Sequence, residues 1–212
     1  MLRNFLRNKL KDRQFTWLNI AGLSIALTGV LLIYLWVADE RNTDKFHANN
    51  DQLYQVMSHI KLPDGIHTGE YTPYMLSRAL PTALPDISDA TCLLQGFIEG
   101  ALSAGEKHAK ITRYFADYHF FNLFSFPLIA GNKDHVFDDK YAVVLSDKLA
   151  RQLFGTTDNL LGKTVQWETD PHPFTITGIF REPGDNSSLK FDALFAYEFF
   201  FDRNPDTKPG GT

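Results

Sequence analysis

Few positions in this chain of 212 residues combine side chains and spacings that could support chemistry. Gly162-Lys163-Thr164 resembles the end of a phosphate-binding loop, in which backbone N–H groups at a helix N-terminus hold the phosphates. The full pattern requires a glycine at position 157, where the chain has Thr157, and a helix after the lysine. A strand pattern follows here instead. We therefore interpret this segment as a turn leading into a hairpin and predict no nucleotide cofactor.

Histidine, cysteine and carboxylate patterns give no catalytic set either. None of the seven histidines has a second one four residues away, the spacing that would place both on one helix face for a metal ion. The single Cys92 excludes an internal disulfide, and its apolar surroundings should raise the pKa of its thiol and make it unreactive. Asp138, Asp139 and Asp185 lie in loops, where carboxylates are usually solvated. The sequence predicts no catalytic residue, no metal site, no cofactor and no enzyme activity.

Residues 15–38 form the longest apolar stretch, with 24 residues that carry no charge. About 20 apolar residues in a helix cross the hydrocarbon core of a bilayer. Trp17 near one end and Trp36 near the other fit the two headgroup regions. A buried core helix rarely runs so long without a charge, and a cleaved signal peptide has a shorter apolar region that ends at small residues. The pattern therefore predicts an uncleaved transmembrane helix.

The charge distribution predicts the direction of this helix. Residues 1–38 carry five basic residues and one acidic residue, whereas the other 174 residues carry 16 basic and 24 acidic groups, a net charge of −8. Because basic residues favour the cytoplasmic side, we expect a cytoplasmic N-terminus and an exported body. Residues 1–14 have an amphipathic pattern that suits a helix lying on the inner surface, although a simple basic stop signal explains them equally well. The acidic body argues against nucleic-acid binding.

Gly22, Ala26 and Gly29 form a small-residue stripe inside the predicted span. Their spacing of four and three residues places them on one helix face, where small side chains allow another helix to approach closely. We predict that this stripe packs against a further transmembrane helix. Small residues are common in membrane helices, so an incidental stripe is an equal alternative.

Beyond the membrane the pattern is mixed. We expect a helical stalk over residues 39–52, a core domain over residues 53–200 and a flexible polar tail over residues 201–212. Ser146 is a good N-cap for a helix over residues 147–154 that ends at Gly155. Helices and strands do not strictly alternate, which favours the α+β class. The predicted strands span residues 53–60, 91–98, 101–104, 107–115, 141–145, 163–168 and 174–180, and a strand or a strand and helix span residues 189–200.

Several segments in order along the chain carry a family resemblance. They are residues 19–23 (NIAGL), 39–40 (DE), 44–47 (DKFH), 53–56 (LYQV), 120–128 (FFNLFSFPL) with Gly131, 145–155 (LSDKLARQLFG) with 161–163 (LGK), 174–180 (FTITGIF), and Pro183 with 186–189 (NSSL). Together they resemble the N-terminal part of the MacB/FtsX-like ABC transporter permeases, especially those of Bacteroidetes-type bacteria.

The resemblance implies a MacB-like periplasmic core domain, inserted after the first membrane helix of a permease in the bacterial inner membrane. Such a permease has no ATP site, and a separate cytoplasmic ABC ATPase hydrolyses ATP for it. The resemblance also implies a permease dimer, or further permease segments as partners, and more core-domain sequence and membrane helices than these 212 residues contain. It implies no catalytic residue.

Three functions follow as alternatives. The first is the N-terminal part of a permease that couples ATP hydrolysis to work in the periplasm. The second is a single-pass membrane anchor whose domain binds or senses a partner. The third, an anchored enzyme, is disfavoured because no catalytic set is found. The substrate cannot be predicted from these residues.

Overall fold

The computed structural model describes residues 13–96, 100–182, 184 and 187–204. It divides into two compact units, Met1–Thr43 and Asp44–Thr212. The predicted surface segment 1–14 lies almost entirely outside the described residues, as do Asp185, Asn186 and most of the predicted tail. The observed class is α+β, with one N-terminal apolar helix before a sheet-rich unit, as the sequence predicts.

The first unit contains helix α1, Arg13–Glu40. Its segment Phe15–Glu40 contains an 18-residue window with a mean hydropathy of 2.2 and is long and apolar enough to cross a membrane. The hydroxyls of Ser24 and Thr28 donate to the carbonyls of Ile20 and Ser24, each at 2.8 Å, so these polar groups are satisfied within the helix.

The helix ends at Glu40, and the predicted helical stalk over residues 39–52 is wrong. Turns occupy residues 41–49, and a short 3-10 helix follows at Asn50–Gln52. The physical reason lies in the composition, because Asn42, Asp44 and Asn49 belong to residue types that compete with helical hydrogen bonds and tolerate left-handed conformations. Asp44 adopts such a conformation, with φ 61°.

The second unit contains eleven strands and four α-helices among its described residues. Its helices are α2 (Met75–Ala83), α3 (Phe120–Leu123), α4 (Asp147–Phe154) and α5 (Tyr197–Arg203). Its strands are β1 (Ser58–Leu62), β2 (Gly65–Gly69), β3 (Leu93–Gln95), β4 (Gly100–Ala104), β5 (Lys107–Ile111), β6 (Arg113–Ala116), β7 (Leu128–Ala130), β8 (Ala142–Ser146), β9 (Thr164–Trp167), β10 (Pro173–Phe180) and β11 (Ala193–Ala196).

Nine of these strands form one mixed sheet, in the order β3-β6-β11-β8-β10-β9-β4-β5, with β7 paired to β10. The pairs β8/β10 and β6/β11 are parallel, and the other pairs are antiparallel. Strands β1 and β2 make a separate two-stranded hairpin, most of which is exposed. The large sheet is therefore the framework of the unit.

Both faces of this sheet are covered. In β8, Val143 and Leu145 point to one core and Ala142 and Val144 to the other, and every residue of the strand is buried. This explains why β8 reads as a continuous apolar run, as strands buried on both faces do. The first core contains Trp167, Phe174 and Phe195, and the second contains Phe120, Phe126, Phe180 and Phe191.

Helix α4 matches the prediction at both ends. The Ser146 hydroxyl accepts a hydrogen bond from the Leu149 N–H at 3.2 Å, and Gly155 has φ 77° at the C-terminal end. Near the C-terminus the strand-and-helix alternative is correct, because β11 leads into α5. The predicted strand 107–115 is divided at Thr112 into β5 and β6. The predicted strand 53–60 begins only at Ser58, and part of the predicted strand 91–98 lies outside the described residues.

Candidate functional site

The most informative site lies at the start of the second unit, where residues 44–48 pack onto two distant loops. We call these five residues the junction segment, since they follow α1 closely along the chain. The N–H of His47 donates to the Asp44 carbonyl at 3.3 Å and closes a turn. Asp44 tolerates the left-handed conformation in this turn because its short polar side chain can bond locally.

The Asp44 carboxylate holds the loop at residues 187–189. It accepts a hydrogen bond from the Ser188 N–H at 2.9 Å, and the Ser187 hydroxyl lies 3.4 Å from the same oxygen. The Ser187 hydroxyl is also 3.1 Å from the Leu189 carbonyl, which keeps the loop turned towards Asp44. An ionised carboxylate accepting a backbone N–H makes a stronger bond than a neutral pair does.

His47 holds the second loop, at residues 124–126. It is buried, with 5% of its surface exposed, and its Nδ1 accepts a hydrogen bond from the Ser125 N–H at 3.1 Å. A nitrogen that accepts carries no proton, so the bond requires the neutral ring. Burial lowers the pKa of His47 below its usual 6.5, and this effect exceeds the opposing attraction of Asp44. The Ala48 N–H completes the contact by donating to the Ser125 hydroxyl at 2.9 Å.

Aromatic rings surround these hydrogen bonds. The His47 ring centroid lies 5.2 Å from that of Phe124 and 5.6 Å from that of Phe126, both in edge-to-face geometry. Phe46 meets Phe126 in the same way at 5.6 Å. Phe126 in turn contacts Phe180 at the end of β10, at 6.1 Å. The junction segment is therefore connected through packed rings to the central sheet.

Three of the sequence segments that carry the family resemblance meet at this site. Residues 44–47, 120–128 and 186–189 are up to about 140 positions apart in sequence, and described parts of each are in contact. The sequence predicted no contact among the three segments, because residues 39–52 were expected to be helical. The polar residues Asn42, Asp44 and Asn49 were the signal that a turn forms there.

The segment Gly162-Lys163-Thr164, which resembles the end of a phosphate-binding loop, forms a turn and the start of a strand. Gly162 has φ 80° in a turn that leads directly into β9, which pairs antiparallel with β10, so the predicted turn before a hairpin is correct. In the part of the chain that the structure describes, no group of three His, Cys, Asp or Glu side chains could hold a metal ion.

Gly22 and Gly29 lie on α1, where an added Cβ would meet open space.

Cys92 is packed beside Tyr197 and Asp117. Burial raises the pKa of its thiol to about 11, as its apolar sequence context predicts. Asp117, itself buried, accepts hydrogen bonds from the Cys92 N–H at 3.2 Å and the Thr91 hydroxyl at 2.5 Å. The cluster holds the start of β3 against the end of β6 and offers no reactive thiolate.

We expect iodoacetamide to alkylate Cys92 at pH 8 roughly a hundredfold more slowly in the folded chain than in the denatured chain, because only the thiolate reacts. Mass spectrometry of timed samples measures both rates, and the denatured chain serves as the control. Rates within tenfold of each other would contradict the structural assignment of this residue.

Two open clefts lie on the surface of the second unit. The larger, of about 490 Å³, contains the ion pair His119–Asp89 at 2.7 Å. The smaller, of about 360 Å³, contains Asp170. Burial raises the pKa of this carboxyl group, but hydrogen bonds from His172 and Arg203 together have the larger effect and hold the pKa below its usual range. The larger is lined by Ser77, Arg78, Pro81, Ser88, Asp89, Tyr118 and His119, and the smaller by Tyr141, Asp170, Pro171, His172, Phe199, Asp202 and Arg203.

Solved structures resemble this fold. A domain of a protein assigned as a permease from Porphyromonas gingivalis superimposes with a TM-score of 0.54 and 21% identity, over 62% of this chain and 60% of that one. The extracellular domain of YknZ, a noncanonic ABC-type transporter from Gram-positive bacteria, gives 0.41 and 16% over 53% and 57%. The periplasmic region of MacB from Actinobacillus actinomycetemcomitans gives 0.41 and 20% over 54% and 51%. The chain thus spans less than two thirds of each.

No curated protein matches the chain. A protein-family model does match the chain, over most of its length. The description of the MacB-like periplasmic core domain covers residues 16–204, which includes the membrane-length part of α1, the junction segment and every strand of the large sheet. The fold shared with the Porphyromonas gingivalis domain agrees with this match. The chain belongs to the MacB-like periplasmic core domain family of ABC transporter permeases.

Proposed function

We propose that this chain is the first membrane helix and the periplasmic domain of a permease that couples ATP hydrolysis by a separate ABC ATPase to export or other periplasmic work. The observation that carries this proposal is the junction segment. It is short, lies four residues after α1, and is bonded to both the 124–126 loop and the 187–189 loop. We infer that a displacement of α1 is passed to this segment and from it to the sheet.

The direction of the chain forms part of the same proposal. Residues 15–38 lie in the inner membrane, residues 1–14 lie on the cytoplasmic side, and residues 53–200 make up the body of the periplasmic core domain. The positive-inside distribution of charge supports this orientation. The protein performs no catalysis of its own, and its work depends on the ATPase and on further permease segments or a second permease copy.

Nucleotide-dependent movement of the exported domain tests the coupling. The full chain is tagged and carries Cys92→Ser and Lys107→Cys, with a fluorophore on the new cysteine at this exposed position of β5. It is purified from its native membrane together with its bound ATPase. We expect ATP to change the fluorescence of this complex. Asp44→Ala should abolish the change while ATP hydrolysis continues, because it removes the acceptor of the Ser188 N–H.

A matched variant separates loss of coupling from loss of folding. Ala48→Cys with Ser125→Cys can form a disulfide where the Ala48 N–H now meets the Ser125 hydroxyl. Under oxidising conditions this bridge should restore the ATP-dependent signal to Asp44→Ala, and reduction should remove it again. A signal that Asp44→Ala leaves unchanged would show that the junction segment does not transmit the movement.

The second candidate is a single-pass anchor that holds or senses a partner, and α1 supplies the membrane-length helix that such an anchor requires. The same purification decides between the two. If no ATPase accompanies the chain, and none binds when permease segments are supplied, the coupling function is wrong and the anchored module remains.

We also propose that Gly22, Ala26 and Gly29 pack against another membrane helix. Gly22→Leu with Gly29→Leu should leave membrane insertion intact, because the span stays apolar, yet weaken association about tenfold. Cross-linking yield in native membranes measures the association, with Leu23→Ile on a neighbouring face as the control. An unchanged yield would show that the stripe is incidental.

A further inference from the structure

We propose that the junction segment is a proton-sensitive connection, released when His47 gains a proton in an acidified periplasm. The inference deepens the proposed function by naming a regulation of the same site, and it rests on that function for its biological meaning. The physical event is local and concerns the described residues alone.

The first step is the hydrogen bond made by His47. Its Nδ1 accepts from the Ser125 N–H at 3.1 Å. A protonated imidazole has N–H donors at both nitrogens and no acceptor, so protonation removes this bond and sets two N–H groups against each other. The loss also affects the neighbouring contact of Ala48 with the Ser125 hydroxyl, because both bonds hold the same loop.

The second step is the surroundings of the ring. His47 is 95% buried and lies between Phe46, Phe124 and Phe126, with ring centroids 4.0 to 5.6 Å away. Edge-to-face contacts do little to solvate an imidazolium, and burial of a charge without full compensation is costly. A protonated ring is therefore more stable in water than in this site, and protonation favours the open form.

The third step is the inventory of charges that act on His47. Asp44 attracts a proton to the ring, but burial has the larger effect, so the pKa of His47 is below 6.5 when the junction is closed. The 124–126 loop (Phe-Ser-Phe) and the 187–189 loop (Ser-Ser-Leu) contain no ionisable side chain, and Lys45 beside Asp44 is exposed. Asp44 is thus the one ionised group within the contact set of the described residues.

The sign follows from the two pKa values. In the open form the ring is solvated and titrates near 6.5, whereas in the closed form its pKa is lower. The open form therefore binds more protons as the pH falls below about 7, and acidification shifts the equilibrium towards it. Between pH 7.5 and 5.5 the opening constant should rise by up to about tenfold.

Hydrogen exchange of the full chain in detergent tests this without ATPase or nucleotide. After correction for intrinsic exchange, we expect a larger opening constant at pH 5.5 than at pH 7.5. The increase should appear in peptides that contain the amides of Ala48, Ser125 and Ser188. A peptide from β8 should show no change. His47→Asn keeps an acceptor near the Nδ1 position but does not titrate, and we expect it to make opening independent of pH.

Two results would overturn the inference: opening that is flat across this range in the unmodified chain, or a pH response that persists in His47→Asn. If His47→Asn fails to fold, the ring signals of His47 decide by NMR, since a pKa at or above 6.5 contradicts the inference. Exchange is measured without the ATPase, so a failure here leaves the coupling intact. Absence of any ATP-dependent signal from the chain that keeps Asp44 would instead disprove the coupling alone.

Discussion

Phe126→Ala should destabilise the folded domain by about 3–5 kcal/mol, the usual cost of removing a buried phenylalanine ring. The ring is 4% exposed and contacts the rings of Phe46, His47, Phe120, Phe180 and Phe191, with centroids 5.1 to 6.1 Å apart. Its removal leaves a cavity between the junction segment and the sheet. Urea denaturation of the full chain in detergent measures the loss.

Phe46→Ala is the matched control, because Phe46 contacts the same ring but is 37% exposed. Its removal should cost only about 1 kcal/mol, since less apolar surface returns to water. It should nevertheless increase hydrogen exchange in the junction segment as Phe126→Ala does. Equal losses of stability for the two variants would show that Phe126 supports the junction segment alone and not the core.

Gly131→Ala is the second substitution with a large expected effect, about 3 kcal/mol or more. Gly131 follows β7 with φ 104°, where a residue with a side chain is strained by about 1–3 kcal/mol. An added Cβ would also lie 2.5 Å from the Thr177 carbonyl oxygen and 2.9 Å from the Gly178 Cα. These are backbone atoms of β10, which cannot move aside as a flexible side chain can.

Gly105→Ala separates the two contributions. Gly105 has φ 61° in the turn between β4 and β5, and an added Cβ there meets no atom within 4 Å. Both substitutions reduce the entropy of the unfolded chain alike, so their difference reports the clash with β10 together with the extra backbone strain at φ 104°. We expect about 1 kcal/mol for Gly105→Ala by thermal denaturation. If Gly131→Ala lowers the free energy of unfolding by no more than this, the backbone of β10 moves to accommodate the added Cβ, which would contradict the prediction.

The sequence was a good guide wherever local chemistry determines structure. The apolar run gave α1, and Ser146 and Gly155 gave both ends of α4, because caps and periodicity act within a few residues. It failed after Glu40, where helical spacing continued but turn-forming residues prevailed. The order of the nine strands could not be read from the sequence, since the parallel pairing of β6 with β11 joins segments some 80 positions apart.

The candidate site shows the same division. Asp44, His47, Ser125 and Ser188 carry ordinary side chains, and no spacing among them predicts contact. They meet because the sheet brings the loops after α3 and β10 to one end of the fold. Cys92 was predictable as an inert thiol, because its apolar neighbours lie directly beside it in sequence.

The bond between Asp44 and Ser188 also has a consequence for the order in which the protein is made. The two residues are 144 positions apart, so this bond cannot form until the chain has been synthesised at least as far as Ser188. Until then Asp44 lacks this partner, whereas His47 can already meet Ser125, which lies only 78 positions after it. The two contacts of the junction segment thus become available at different points of synthesis, and a chain that stops before residue 187 would have only the contact with the 124–126 loop.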